Sequence, residues 1–226
     1  MALHRETLKT RSLTAAVFVV VMLGGLLGGR WPFIALMTLI HFGCWYEYLK
    51  LQKHIHGGSW MREAWLGIVY ISAPIAALVL LYHEAQTPVA NHPGLTPILL
   101  LIASIWINDT MAYIVGSLIG KTPLSPVSPK KTWEGTLGGA LLAVLLVGGF
   151  TLWQLQPVTI LVAFTLPALA ASLGTIGDLY ESSLKRRAGV KDSGHFMPGH
   201  GGFLDRFDSL LFASVPIWLF LWLVQR

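Results

Sequence analysis

Hydrophobic and polar positions run in long blocks along this chain rather than at the short period of an amphipathic soluble helix or strand. Seven blocks approach the roughly 20 apolar residues that cross a bilayer as helix: 12–29, 31–49, 65–82, 98–119, 136–153, 158–176 and 209–224. The pattern predicts an all-α, polytopic integral membrane protein of about seven transmembrane helices. It divides into an N-terminal membrane region of about three helices (residues 1–97) and a C-terminal one of about four (residues 98–226). The first block follows Arg5, Lys9 and Arg11 and lacks a small-residue cleavage site, so it is expected to be retained as a helix. The polar stretch from Leu51 to Glu63, with Gly57 and Gly58, reads as a cytoplasmic linker.

Composition agrees with the blocks: 54% of residues are hydrophobic and 12% charged, against about 25% charged in soluble domains. The single cysteine, Cys44, excludes an intrachain disulfide and a Cys-cluster zinc site. A net charge of +5 would suit nucleic acid if it were concentrated, but the bases are scattered in short groups between apolar runs, so no nucleic-acid partner is expected. They follow topology instead. With the N-terminus in the cytoplasm of a cell bounded by an inner membrane, Arg5, Lys9, Arg11, Lys50, Lys53, Arg62, Lys121, Lys130, Lys131, Lys185, Arg186, Arg187, Lys191 and Arg206 all fall on the inner side. Only Arg30 and Arg226 fall outside, as the positive-inside rule requires. Glycines such as Gly135, Gly138 and Gly139 within the spans permit close helix packing.

Chemistry concentrates in two polar segments. Gly177 to Asp208 carries five bases (Lys185, Arg186, Arg187, Lys191, Arg206) and five acids (Asp178, Glu181, Asp192, Asp205, Asp208). Interleaved signs suit a site holding a cation together with an anionic substrate, whereas a lipid-anchoring patch would be one-signed. Asp178, Glu181, Ser182 and Lys185 share one face if the sixth span continues as helix, and Asp205 and Asp208 are three apart at the mouth of the seventh. Two carboxylates on one turn opposite a third from another helix form a hard-oxygen site of the Mg²⁺ type; pairing with Arg186, Arg187 and Arg206 is the other reading of the same spacing. Between them, Met197, Pro198, Gly199, His200, Gly201 and Gly202 form a turn whose amides can approach an anion closely. His200 is open to three roles there: turn residue, phosphate donor or acid/base group.

The second segment runs from Asn108 to Gly135. Asp109 lies in an apolar helix, where an ionisable group marks a functional candidate, and it shares a face with Tyr113, Gly116 and Gly120. The following loop, with Lys121, Ser125, Ser128, Lys130, Lys131 and Thr132, suits phosphate contacts. His41 and Glu47, in the second span, are read as structural.

The run Ser183-Leu184-Lys185-Arg186, then Lys191-Asp192, then Pro198-Gly199-His200-Gly201-Gly202-Phe203-Leu204-Asp205-Arg206-Phe207-Asp208 resembles the signature of the phosphatidate cytidylyltransferases, also called CDP-diacylglycerol synthases. Gly177, Asp178, Leu179, Glu181 and Ser182, and the cluster from Asp109 through Lys130, Lys131 and Gly135, are similar to the same family, so the likeness covers about the C-terminal half. Met197 stands where the family usually has Leu, Ile or Phe, and seven spans are counted where bacterial members resemble nine-helix proteins. The resemblance implies transfer of CMP from CTP to phosphatidate, giving CDP-diacylglycerol and pyrophosphate, with the active-site loops cytoplasmic. It implies Mg²⁺ held by Asp178, Asp205 and Asp208, with room for a second cation, K⁺ or Mg²⁺. Lys191, Asp192 and His200 join these as catalytic candidates, while Asp109, Tyr113, Lys130, Lys131, Ser182, Lys185, Arg186, Gly201, Gly202 and Arg206 are substrate-binding candidates. CTP, phosphatidate and membrane lipids are the implied partners, with a homodimer as a further expectation. A CTP-dependent lipid kinase and, from another class, a transporter are the competing readings.

Overall fold

The structure is a computed structural model that describes residues 5–84, 94–155, 158–194, 196 and 201–225, with side chains from residue 12 onward. Its helices are α1 (Arg5–Leu27), α2 (Arg30–His56), α3 (Met61–Ala64), α4 (Ala73–His83), α5 (Leu95–Ile119), α6 (Trp133–Gln154), α7 (Ile160–Arg187) and α8 (Leu204–Val224). A 3₁₀ turn (Gly57–Ser59) precedes α3, and a π-helical stretch (Ile68–Ser72) precedes α4. Pro74 has no amide hydrogen to give the carbonyl four residues back, which favours a changed register just before it. Two short strands, β1 (Pro123–Ser125) and β2 (Ser128–Thr132), pair antiparallel between α5 and α6.

Among the described residues, five helical runs are long and apolar enough to cross a membrane: Met61–His83, Leu95–Ile119, Trp133–Gln154, Ile160–Arg187 and Leu204–Val224. These correspond to five of the seven expected spans, and they make this an integral membrane protein. The apolar stretch of α1, Ser12–Leu27, is shorter. Helix α2 is long enough but carries His41, Glu47, Lys50, Gln52, Lys53, His54 and His56, which dilute its apolar character. The expected linker from Leu51 is helical as far as His56, because nothing before Gly57 breaks the helix. Polar composition at that end marks where the helix leaves apolar surroundings, not where it stops.

The chain forms two compact units that interleave in sequence, Met1–Ser72 with Leu184–Phe207 and Ala73–Ser183 with Asp208–Arg226. In the first, Gly29 adopts φ +95° and turns the chain between α1 and α2, and a Cβ at Gly25 would stand 2.6 Å from Leu36. Phe33, Leu36, Met37, Ile40, Cys44, Tyr48 and Leu51 bury one stripe of α2 at three- and four-residue spacing. Ser72 Oγ accepts from Trp45 Nε1 at 3.0 Å and lies 3.0 Å from His41 Nε2, which gives His41 a structural partner.

In the second unit α5 and α6 meet backbone to backbone. A Cβ at Gly135 would lie 2.6 Å from the Ala112 carbonyl oxygen, and one at Gly139 would lie 2.6 Å from the Ala112 amide. Small residues four apart on both helices make that approach possible. The opposite side of α6 exposes Leu137, Leu141 and Leu145 in one stripe, as a lipid-facing surface does. Hydroxyls inside the unit bond to carbonyls one turn back, Ser104 to Leu100, Thr151 to Val147, Thr175 to Ala171 and Ser214 to Leu210, so they need no water.

Candidate active site

Helix α7 continues past its apolar stretch to Arg187, and this extension presents Asp178 and Glu181 one turn apart. Asp208, in α8, brings a third carboxylate to them. One oxygen from each of Asp178, Glu181 and Asp208 lies within 4.8 Å of the other two. Asp178 is half-buried, and Glu181 and Asp208 are buried. A backbone approach makes this convergence possible: a Cβ at Gly177 would stand 2.6 Å from Phe212 Cβ and 2.7 Å from the Asp208 carbonyl oxygen. Like charges gathered out of water repel strongly, so three carboxylates at this spacing suit a hard cation. The cluster meets the oxygen-only chemistry of a divalent ion of the Mg²⁺ or Ca²⁺ kind.

A lysine reaches the same cluster from the hairpin. Lys131 Nζ pairs with Asp178 Oδ2. The hairpin is fixed at both ends: Thr132 caps α6 by accepting from the Gly135 amide at 3.1 Å, and Thr122 Oγ1 donates to Glu134 at 2.8 Å. Glu134 also accepts from the amides of Lys121 and Thr122. Pairing of Pro123 with Thr132 and of Ser125 with Ser128 then sets the direction of Lys131. Lys130, its neighbour on the strand, is exposed. Ser182 is buried on α7 beside Glu181.

Asp109 and Tyr113 are exposed on α5, whereas Gly116 and Gly120 of the same stripe pack against Thr132. The shared face therefore serves two purposes along its length. Asn108 is buried, and its Nδ2 donates to Asp109 Oδ1 at 3.2 Å and to Thr175 Oγ1 at 3.4 Å. It ties α5 to α7 and was not among the candidates read from the sequence, because an Asn next to an Asp carries no spacing signal.

The first unit holds a different group. Asp205 Oδ1 pairs with Lys185 Nζ at 2.6 Å, their side chains 11% and 12% exposed. Asp205 Oδ2 accepts from the amides of Gly202 at 2.8 Å and Ser193 at 2.9 Å. The expectation set Asp205 with Asp178 and Asp208 as a metal ligand; here its oxygens face Lys185 and the motif amides, and Glu181 is the third carboxylate beside Asp178 and Asp208. The reach back to an amide three residues earlier is typical of a carboxylate in the first turn of a helix. Gly201 takes φ +83°, a conformation that favours glycine, and a Cβ there would stand 2.8 Å from Asp205 Oδ2. Arg186 donates to the Val190 carbonyl at 3.1 Å, and Lys191, Asp192 and Arg206 are exposed. Met197 and His200 lie outside the described residues.

The helical membrane scaffold thus carries a carboxylate cluster with a lysine arm. Residues 59–224 match the Cytidylyltransferase family, and the chain belongs to it. It is similar to a phosphatidate cytidylyltransferase of Helicobacter pylori, 38% identical over 173 residues that cover 69% of this chain and 65% of the relative. The enzyme of the same name from Synechocystis is 47% identical over 132 residues (58% and 45% covered), and that of Bacillus subtilis 45% over 129 (57% and 48%). The chain spans about half to two thirds of the length of these curated relatives.

Proposed function

We propose that this protein transfers the cytidylyl group of CTP to phosphatidate, releasing pyrophosphate and leaving CDP-diacylglycerol in the membrane. The observation that carries the reading is the meeting of Asp178, Glu181 and Asp208 with Lys131 inside the family-matched residues. In the reaction a phosphate oxygen of phosphatidate attacks the α-phosphorus of CTP, and the bond to the β-phosphate oxygen breaks. Two polyanions must meet, so the protein's task is chiefly positioning and charge compensation.

Asp178, Glu181 and Asp208 would hold the divalent ion, which is Mg²⁺ on this reading. One oxygen of each carboxylate lies within 4.8 Å of the other two, so one ion could be held among all three. The bound ion supplies Lewis-acid charge compensation at the phosphates. Lys131, Lys130, Lys185, Arg186, Lys191 and Arg206 are assigned to phosphate contacts, and Ser182, Gly201 and Gly202 to lining the phosphate side. Asp109 and Tyr113 line the membrane-facing entrance. Asp192, Asp205 and His200 complete the catalytic assignment, with Asp205 orienting the motif or contributing to a second cation, K⁺ or Mg²⁺. Residues 98–226 form the catalytic region and residues 1–97 its membrane support, working as a homodimer.

The orientation proposed is seven spans with the N-terminus and both polar segments in the cytoplasm, in the cytoplasmic membrane. It rests on the sidedness of the bases. The test is detergent-purified protein supplied with Mg²⁺, phosphatidate and CTP labelled at either the α- or the γ-phosphate. The α-label is expected in lipid and the γ-label in pyrophosphate. Recovery of γ-label in lipid would mean a CTP-dependent kinase, and transport without nucleotide turnover in liposomes a transporter.

A further inference from the structure

Glu47 is a carboxylate on the largely apolar buried face of α2, 3% exposed. It stands outside the residues that match the family. Burying a charge there costs several kcal/mol unless donors surround it. The donors come from far along the chain. Ser193 Oγ donates to Glu47 Oε2 at 2.7 Å, and the Leu204 amide donates to the same oxygen at 2.9 Å. One acceptor atom on α2 therefore holds two separated residues, Ser193 and Leu204, of the segment that carries the family signature.

The fit extends beyond these two bonds. A Cβ at Gly194 or at Gly202 would run into the Glu47 carboxylate, so both glycines are where the segment must be bare to admit it. One turn earlier on α2, a Cβ at Gly43 would stand 2.5 Å from the Phe203 ring. Phe203 in turn packs on Phe196, ring centroids 4.2 Å apart. Gly43 and Glu47 thus form a seat with an apolar and a polar half.

Ser193 links this seat to Asp205. A hydroxyl has one hydrogen, and that of Ser193 is within reach of both Glu47 Oε2, at 2.7 Å, and Asp205 Oδ2, at 2.9 Å; with the shorter bond made to Glu47, the Ser193 oxygen accepts from the Asp205 amide at 3.3 Å. The Ser193 amide is then free to hold Asp205 Oδ2, whose other side chain oxygen binds Lys185. Glu47 fixes Ser193, Ser193 fixes Asp205, and Asp205 fixes Lys185.

We propose that Glu47 is a positioning residue that clamps the signature segment at Ser193 and Leu204 and so sets the placement of Asp205 and Lys185 for the phosphates of CTP. This rests on the cytidylyl-transfer reading for its kinetic consequence but not for its structural one. The test uses full-length protein in detergent, with Glu47→Leu and Glu47→Gln compared by hydrogen exchange and by kinetics. Glu47→Leu is expected to speed exchange at the Leu204 amide and its neighbours at least about tenfold, the scale of losing one buried acceptor. It should also raise KM for CTP by about the same factor, whereas a loss of folded protein alone would lower the rate and leave KM unchanged. Glu47→Gln keeps an acceptor oxygen and should stay within about threefold of the parent in both measurements.

Unchanged exchange and unchanged KM in Glu47→Leu would overturn the proposal. So would a Glu47→Gln protein as impaired in KM as Glu47→Leu. Where Glu47→Leu does not fold, Gly202→Ala replaces it: alone it should raise KM, and combined with Glu47→Ala it should add little to the Glu47→Ala effect, since the collision is gone. Additive effects would refute the clamp. Should the parent protein fail to turn over CTP with phosphatidate, the functional reading falls, and the exchange data alone decide whether Glu47 holds the segment.

Discussion

Asp205 and Glu47 are surrounded by hydrogen donors: two amides and a lysine on the first, an amide on the second, and the Ser193 hydroxyl within reach of both. Asp178, Glu181 and Asp208 instead bring one oxygen each within 4.8 Å of the other two, with Lys131 pairing with Asp178 and the Ser209 amide donating to Asp208 at 2.6 Å. Both groups are acidic and largely buried, yet different atoms face their oxygens. In the first, ionisation is matched by fixed donors, so the carboxylates hold the fold together. In the second, ionisation brings like charges together, an arrangement that a bound cation would relieve. Burial of acids alone separates nothing; the identity of the atoms facing each oxygen does.

The sharpest way to break this comparison is to remove one member of the crowded cluster. Asp208→Ala is expected to lower turnover by about 10³-fold, the scale of losing a transition-state charge stabiliser, while helical content by circular dichroism stays that of the parent. Near-parental turnover would remove Asp208 from the site. Next in size is the satisfied group. Lys185→Met leaves Asp205 buried without its cation and should cost about 3 kcal/mol in thermal or denaturant unfolding; a change below the scatter of surface variants would make the pair ornamental.

The third test sets the two groups against each other. With chelator present, Asp208→Asn should melt at or above the parent, because one repelling charge is gone. Saturating Mg²⁺ at about 100 times its Kd should stabilise the parent by about 2.7 kcal/mol and the variant by much less. Equal Mg²⁺ shifts would place the ion elsewhere. The smallest effect is expected at Arg186, which is exposed and bonds only locally to Val190. Arg186→Ala should change stability by no more than about 0.5 kcal/mol, and a larger loss would show that it supports the segment.

Much of the fold was legible because apolar length is a strong signal: the spans expected at 98–119, 136–153 and 209–224 are the cores of α5, α6 and α8. The hairpin was not legible, since Pro123, Pro126 and Pro129 among polar residues read as loop, and strands of three and five residues have too little alternation to detect. Asp178 and Asp208 were legible as acids at helical spacing. Glu181 and Asp205 were not separable, because each is three residues from a cluster member and only the facing atoms distinguish them. Glu47 was out of reach: its partners lie 146 and 157 residues away, and a lone acid in an apolar helix names no partner.

The glycine contact between α5 and α6 has a bearing on how the protein is made. These helices and their hairpin are contiguous in the chain, so they can pair in the membrane as soon as residue 154 has left the ribosome. Lys131 is then already held on its strand, while Asp178 and Asp208 have yet to be synthesised. The cationic side of the site acts as a template onto which the carboxylates arrive in order, first with α7 and then with α8. On the cytidylyl-transfer reading proposed above, affinity for a divalent ion would appear only when α8 inserts and brings Asp208 to Asp178 and Glu181.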